Sequence, residues 1–510
     1  MRKLVLAIDQ GTTSTRCIAF DKGGRIAYSA FKEFPQIYPH PGWVEHDPED
    51  IYNSVVTCVN QLGLDPDNDA VEAIGITNQR ETIVAWDRIT GKPFHNAIVW
   101  LDTRTHALVK SECDSSPAGP QKFRSITGLP ISTYFSVMKI KWLMNNVSAV
   151  RAAVAENRCC FGTIDSFLAN RLTGGQAHVT DCANASRYNL MELKSLQWSP
   201  EVCAALDIPI SALPKIVSNA ETVGHVSADA LPILAGVPIT SLIGDQHAAL
   251  LGHACTEPHE CKITYGTGSF LLMNTGALAV ESRSKGLLTT VGYKLGPERP
   301  AVFALEGSVA AAGRAVQWAK ENLRIGDDLK EFNEIASSVP DTCGVTFVPA
   351  FSGLFAPYWR DDARAVIVGM SLQASYRHIA RAILEATAMQ CAEVVRLIKQ
   401  DSGAQRLATI VTDGGMTKSA LLMQMQSDLL DAPIRRARMS ESTAFGAAYC
   451  AGIAVDFWEK HDPKHLVAHQ AGYDLFSPSM RTEDRESAFK RWEDAVQRSF
   501  GLARHERDSC

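Results

Sequence analysis

The sequence predicts an α/β protein of two domains. Three observations carry this reading. The chain has 510 residues, too many for one core, so two domains of roughly 250 residues are expected. Strand-like runs over 74–76, 82–86 and 97–100 alternate with helical patterns over 49–62 and 137–145, which is the alternation of α/β architecture. And two strand–turn–strand segments of one design lie about half a chain apart, near residues 4–20 and 261–273.

The first of these segments opens the chain. An apolar run over 4–8 ends in Asp9, followed by Gln10, Gly11, the hydroxyl residues Thr12, Thr13, Ser14 and Thr15, and Arg16. A second apolar run over 17–20 follows, and Asp21-Lys22-Gly23-Gly24 closes it. The pattern is strand, tight turn, strand, turn. Its tip is a plain polar hairpin end or a phosphate cradle. For the second reading, Gly11 lets backbone N–H groups approach closely, Thr12, Thr13 and Ser14 offer hydroxyls, and Arg16 offers charge. Asp9 at the strand end could hold magnesium through water.

The second segment, Cys261-Lys-Ile-Thr-Tyr-Gly266-Thr267-Gly268-Ser-Phe270, repeats the design. A third strand, Ile410-Val-Thr-Asp413, again runs into glycines, Gly414 and Gly415. Three glycine turns at strand ends suggest a nucleotide clamped between two similar halves. A helix is expected over 308–322, with Gly313 and Gln317 one turn apart on one face. A long amphipathic helix is expected over 377–399, a buried small-residue helix over 441–452 and a charged, solvated exterior helix over 483–504. The stretch over 231–243 is rich in small apolar residues and prolines and leads into Gly244-Asp245-Gln246. The domain junction is placed just after it, giving domains 1–253 and 254–510.

Composition excludes several classes. Hydrophobic content of 46% and charged content of 21% are those of a soluble globular protein. A net charge of −6 gives no basic field for nucleic acid or an anionic membrane. No apolar run is long enough for an integral membrane span, and the start lacks a signal-peptide pattern. The 13 cysteines are scattered without CxxC spacing, which points to reduced thiols and argues against zinc. No histidine is assigned to a metal. A cytoplasmic location is expected, with a peroxisome-like organelle or the mitochondrial surface as alternatives, although Arg507-Asp508-Ser509-Cys510 is not the Ser-Lys-Leu type of address. A homo-oligomer, dimer or tetramer, is expected.

Two constellations carry chemistry. Arg80 and Glu81 follow the strand-like run over 74–76. They are either a surface ion pair or a donor and an acceptor for the hydroxyls of a polyol. Asp245 either caps the helix it opens or acts as a general base on a hydroxyl attacking phosphorus. Its place at the domain junction favours the second role, with substrate in the interdomain cleft. Trp100, Tyr134 and Phe270 could line the carbon side of that substrate, although each taken singly also suits a core.

At this point the residues resemble a known family. The segments Ile8-Asp-Gln-Gly-Thr-Thr-Ser-Thr-Arg16, His40-Pro-Gly-Trp43-Val-Glu-His46, Asn78-Gln-Arg-Glu-Thr82, Gly244-Asp-Gln246, Tyr265-Gly-Thr-Gly268 and Asp413-Gly-Gly415 resemble the glycerol kinases of the FGGY carbohydrate kinase family. So do the segments over 134–146 and 369–385. The resemblance runs in order from residue 4 to about residue 460. It implies the two-domain actin-like, ribonuclease H-like ATPase fold, and ATP-dependent phosphorylation of glycerol to sn-glycerol 3-phosphate with Mg2+. Arg80, Glu81, Tyr134, Asp245 and Gln246 would bind glycerol hydroxyls, Trp100 and Phe270 would pack on its carbons, and Asp245 would be the base. Thr12, Thr13, Ser14, Arg16 and Thr267 would hold phosphates. Gly313, Gln317 and Gly415 would flank the nucleoside, and Asp9 and Asp245 would face the magnesium.

Ser419 stands where many bacterial members carry an asparagine near the adenine. The stretch over 231–238 lacks the Gly-Gly-Thr-Arg loop by which some bacterial members bind fructose 1,6-bisphosphate, so inhibition by that sugar is not expected. The sequence leaves two other readings open. One is another family member acting on a larger sugar; the other is a non-catalytic actin-like nucleotide-binding protein.

Overall fold

The two hairpins seed two sheets of similar plan. The structure is a computed structural model that describes residues 1–438, 441–458, 463–470 and 472–503. In the first sheet β1 (Arg2–Gln10), β2 (Ser14–Phe20) and β3 (Ile26–Glu33) form an antiparallel meander. On its other edge β1 pairs in parallel with β4 (Asp69–Asn78). The short β5 (Gly224–His225) closes the far edge beyond β6 (Pro238–Gly244), which pairs in parallel with β4.

The second sheet repeats this plan. Antiparallel β7 (Glu260–Tyr265) and β8 (Ser269–Gly276) are extended on the β8 side by β9 (Leu288–Tyr293) and β10 (Val302–Val309), with β10 next to β8. On the other side β7 pairs in parallel with β11 (Thr409–Asp413), which pairs in parallel with β12 (Ile434–Ala437). The edge strand β13 (Tyr473–Phe476) is antiparallel to β12. Each sheet thus continues in parallel beyond its first hairpin strand, as expected of two similar halves, although only the first is a simple meander: in the second, β10 comes between β8 and β9. A separate four-stranded sheet holds Glu45–His46, Ala97–Ile98, Ile83–Asp87 and Cys159–Thr163.

Helices cover both sheets. The helix α1 (Pro48–Gln61) is capped by Asp47, whose carboxylate accepts from Glu49 N at 2.8 Å. Next come α2 (Ser136–Asn146), α3 (Asp245–Gly252) and α4 (Gly313–Leu323). The long α5 (Tyr376–Ser402) starts at a Ser375/His378 capping box and stops at Gly403 in the left-handed region. Then follow α6 (Ala420–Leu430), α7 (Ser442–Ile453) and α8 (Thr482–Gln497).

Three expectations are corrected. The helix expected over 308–322 begins only at Gly313, because Ser308 and Val309 extend β10 opposite Phe270 and Ser269. The exterior helix expected over 483–504 ends at Gln497 and is not fully solvated: it buries Ala488, Phe489, Trp492, Ala495 and Val496. Its expected end at Arg504 and the tail Arg507-Asp508-Ser509-Cys510 lie outside the described residues. The strand expected over 97–100 stops at Ile98, leaving Trp100 in a turn.

The small-residue helix α7 is buried, as expected, but against the first sheet, although it comes late in the chain. It crosses α3 at backbone contact. A Cβ on Gly446 would sit 1.9 Å from Ala248 O, and one on Gly252 would sit 1.8 Å from Ser442 O. Only glycine permits that approach. Among the described residues every cysteine is a free thiol, and no helix is long and apolar enough to cross a membrane.

Candidate active site

Strand register brings the expected residues together. Gln10 on β1 pairs with Asn78 on β4, and Asn78 pairs with Gly244 on β6. The three strands therefore end at one edge. From it emerge the Gly11–Thr13 tip, the Arg80–Glu81 turn and Asp245 at the start of α3. Carboxyl ends of parallel strands are where ligands sit in open α/β sheets. On the second sheet Thr264 pairs with Asp413, so the Gly266–Gly268 tip and the Gly414–Gly415 turn also share an edge.

Arg80 and Glu81 are not a surface pair. Both are buried, and Arg80 Nη1 donates to Glu306 Oε2 at 2.8 Å. Arg80 Nε lies 3.5 Å from Asp245 Oδ1 and 4.0 Å from Glu81 Oε1. Arg187 Nε donates to Glu81 Oε1, and its Nη1 lies 3.3 Å from Glu306 Oε2. Thr290 Oγ1 donates to Glu306 Oε1 at 2.6 Å. Burial would raise the Glu306 pKa, but Arg187 and Arg80 hold it well below the usual carboxylate range. Burial pushes the nearby His247 down to about 4, so its ring, 3.0 Å from Glu306 Oε1, is neutral. Glu81 adopts φ +59°, costly for a residue with a Cβ. Its carbonyl accepts from Ser136 Oγ at 3.2 Å. The surrounding packing therefore holds this carboxylate in place against its backbone preference.

The aromatic residues meet across the cleft. The Trp100 ring lies 5.7 Å from Tyr134 and 5.8 Å edge-on to Phe270 of the second sheet. Phe355 stacks on Tyr134 at 5.5 Å. Burial pushes the Tyr134 hydroxyl up to about 12, so it stays a neutral donor. Trp100 Nε1 donates to Thr12 Oγ1 at 3.0 Å, which ties this aromatic wall to the first hairpin tip.

The first tip is fixed from behind. Gln36 Nε2 donates to Thr12 O and Gln79 Nε2 to Gly11 O, both at 3.0 Å. His46 joins the two glutamines: its Nε2 is 2.8 Å from Gln36 Oε1 and its Nδ1 is 3.4 Å from Gln79 Nε2. Thr13 is exposed and Ser14 half-buried at the tip. Arg16 Nη1 pairs with Glu441 Oε2 at 3.2 Å. Burial raises Asp9 to about 7, with Asp245 and Glu441 adding and Arg16 opposing. Burial also raises Asp245, while Arg80 opposes.

The second tip is docked on α4. Ala312 N donates to Thr267 O at 2.9 Å and Gly313 N to Gly266 O at 3.0 Å. A Cβ on Gly313 would meet Gly266 O at 2.7 Å. Gln317 lies one turn on, exposed, with its Nε2 donating to Glu321. Gly414 takes φ +93° beneath Tyr265, and Gly415 opens on free space, with nothing within 4 Å of an added Cβ. Ser419 is turned into its own helix: it is 1% exposed, and its hydroxyl accepts from Leu422 N at 3.1 Å as the cap of α6. Nearby, Asp413 Oδ2 takes His253 Nε2 at 2.7 Å and Ser442 Oγ at 2.6 Å.

Sequence reasoning missed Glu306, Arg187, Lys262 and Phe355. The signal for two of them was present. Glu306 and Lys262 are charged residues in the interiors of strands, Val302–Val309 and Glu260–Tyr265. A charge there is buried at a cost unless a partner awaits it.

The chain matches the FGGY family of carbohydrate kinases in both its domains, the N-terminal over residues 4–252 and the C-terminal over 261–455. It is 49% identical to glycerol kinase 2 of Streptomyces avermitilis, covering 99% of this chain and 98% of that protein. It is 47% identical to the glycerol kinase of Nocardia farcinica, covering 98% and 99%. Among solved structures, the glycerol kinase of Plasmodium falciparum with ADP superposes with a TM-score of 0.90 at 39% identity, over 99% of both chains. A gluconate kinase from Lactobacillus acidophilus shares the fold, with a TM-score of 0.85 at 21% identity over 98% of this chain and 97% of that one.

Proposed function

The chain belongs to the FGGY family of carbohydrate kinases and phosphorylates glycerol from ATP, and we propose that the reaction occurs at a terminal hydroxyl in the cleft between the two sheets, giving sn-glycerol 3-phosphate and ADP. The observation that carries this reading is the Asp245 carboxylate facing Arg80 at 3.5 Å, at the edge where three strands end. Arg80 can only donate and the Glu81 side chain offers acceptor oxygens, so together they read two hydroxyls of a small polyol. Tyr134 and Gln246 add further polar contacts, and Trp100 and Phe270 cover the carbon face. Asp245 accepts the proton of the attacking hydroxyl. Burial raises its pKa, which makes it a better base, while the Arg80 charge favours the ionised form.

Thr12, Thr13, Ser14 and Arg16 of the first tip and Thr267 of the second hold the phosphates. Gly313, Gln317 and Gly415 flank the nucleoside. With the Ser419 hydroxyl used as a helix cap, we assign the adenine contact to the backbone around Gly415. Phosphoryl transfer asks the protein mainly for positioning and charge neutralisation, and the two facing tips supply both.

Mg2+ fits the residues present. Asp245 lies close enough to Asp9 for its charge to add to the upward shift that burial gives the Asp9 carboxyl, and magnesium uses one or two carboxylates plus substrate phosphates. When bound, it would neutralise charge on the ATP phosphates. This reading divides the chain at residue 253, with the acceptor site in 1–253 and the nucleotide site in 254–510. We further propose that the enzyme is a homo-oligomer, dimer or tetramer, of the cytoplasm.

The test is ADP release from Mg-ATP by the purified chain, with and without glycerol. Release that depends on glycerol, with sn-glycerol 3-phosphate as product, supports the reading. A product phosphorylated elsewhere, or glycerol-independent hydrolysis, overturns it.

A further inference from the structure

We propose that Lys262 is a positioning residue for the acceptor site, fixing the Gln246 amide so that its NH2 group donates to a glycerol hydroxyl. The proposal rests on the reading of Gln246 as a glycerol ligand and deepens it. Lys262 lies on β7 of the second sheet and is fully buried. Its Nζ donates to Gln246 Oε1 and, at 2.9 Å, to Thr264 Oγ1. Gln246 follows Asp245 on α3 and reaches Lys262 from the first half of the chain.

The chemistry of the pair leaves one arrangement. An ammonium has hydrogens to give and no lone pair, so only the oxygen of a glutamine amide can face it. The O and N positions of a glutamine, exchangeable where the surroundings are neutral, are therefore fixed here. Gln246 Nε2 is turned the other way and has no acceptor among the described residues. In the acceptor site Gln246 is then a donor and cannot present its carbonyl to a hydroxyl.

The lysine is expensive to keep there. Burying an ammonium is unfavourable unless it is paired and hydrogen-bonded. The carboxylates of Asp413, Asp245 and Glu306 supply the counter-charge, with Arg80 opposing. An apolar residue would fill a central strand position more cheaply, so the charge is explained by what it holds. Because Lys262 belongs to the half that carries the second phosphate tip, the acceptor site is complete only when the two halves are together.

The experiment uses the full chain with Lys262→Met, Gln246→Ala and the double variant. Glycerol KM, ATP KM, kcat and thermal midpoint are measured for each. Loss of a hydrogen bond to a charged group costs about tenfold or more, so Lys262→Met is expected to raise glycerol KM by that order while ATP KM stays within about twofold. The double variant should be no worse for glycerol than Gln246→Ala alone, because Lys262 acts through Gln246. If the two effects multiply, or if ATP KM rises equally, Lys262 does not work through Gln246 and the proposal falls. If Gln246→Ala weakens glycerol and Lys262→Met does not, the proposal alone falls. If Gln246→Ala leaves glycerol KM unchanged, the placement of Gln246 falls and takes the proposal with it. Should Lys262→Met fail to fold, Thr264→Val removes only the second partner of the ammonium, and a selective rise of about two- to fivefold in glycerol KM is expected. An unchanged value overturns the proposal.

Discussion

Arg80 Nη1 after β4 and Glu306 Oε2 on β10 lie 2.8 Å apart, and both side chains are closed to solvent. This ion pair joins the two halves at the edge where substrate is expected. Removing one member of a buried pair strands the other, at a cost of about 3–5 kcal/mol. Glu306→Ala takes a buried carboxylate partner from both Arg80 and Arg187 and leaves them only Glu81 and Asp245, so we expect a stability loss of up to that order in urea unfolding, together with a raised glycerol KM. A variant as stable as the parent would show that the pair bears no such weight.

Asp245 is a quarter exposed and faces Arg80 from the start of α3. A positioned general base contributes about 10²–10⁴-fold to rate. Asp245→Asn keeps the shape and removes the basic oxygen. We expect kcat to fall by that factor while ATP affinity, measured by calorimetry, changes little. Near-normal turnover would exclude Asp245 as the base.

Arg80 has no contact with either hairpin tip among the hydrogen bonds described. Arg80→Ala should therefore raise glycerol KM by about tenfold or more, the scale of a charged hydrogen bond, and raise ATP KM much less. Equal effects on both substrates would make Arg80 a structural residue whose role ends at Glu306.

The hairpins and the strand ends were legible because they depend on local signals. Gly11, Gly266 and Gly414 punctuate apolar runs, and Asp9, Asp245 and Asp413 stand at their ends. The grouping of Arg80, Glu81 and Asp245 was legible as a candidate only, because it depends on the pairing of Asn78 with Gln10 and Gly244, a long-range register no local pattern encodes. Glu306 and Arg187 escaped notice because their meaning lies in partners more than 100 positions away. The helix expected over 308–322 began too early because Gly307-Ser308-Val309 has weak strand character of its own and is held as strand by its ladder to β8. Ser419 stands out only through the family resemblance, and no local pattern foretells that its hydroxyl caps α6.

Gly446 on α7 tests the crossing with α3. A Cβ there would stand 1.9 Å from Ala248 O, and backbone cannot yield as a flexible side chain can. Since α3 begins with Asp245 and Gln246, any parting of the helices also displaces the acceptor site. Overpacking of this kind costs about 1–3 kcal/mol or more. Gly446→Ala is expected to lower the thermal midpoint and glycerol-dependent turnover together. Unchanged values for both would mean that the crossing is looser than the contact indicates.

His46 supports the first hairpin tip and gives a pH test with a definite sign. It is fully buried, accepts from Gln79 at Nδ1 and donates to Gln36 at Nε2, so both ring nitrogens suit the neutral form. Burial lowers its pKa from 6.5 to about 4. Between those values the unfolded chain binds a proton that the folded chain refuses, so acidification favours unfolding. This contribution to stability is complete above pH 6.5 and is lost as pH falls toward 4, by up to about 3 kcal/mol. Other buried groups titrate in the same window, and Asp9, raised to about 7, acts in the opposite sense. The informative quantity is therefore a difference between two chains. His46→Gln keeps one donor and one acceptor and does not titrate. We expect it to be less stable than the parent at pH 7.5, with the gap narrowing or reversing by pH 4.5 in urea unfolding. A gap independent of pH would place a protonated histidine behind the hairpin and overturn the neutral-ring account of how Gln36 and Gln79 hold the tip.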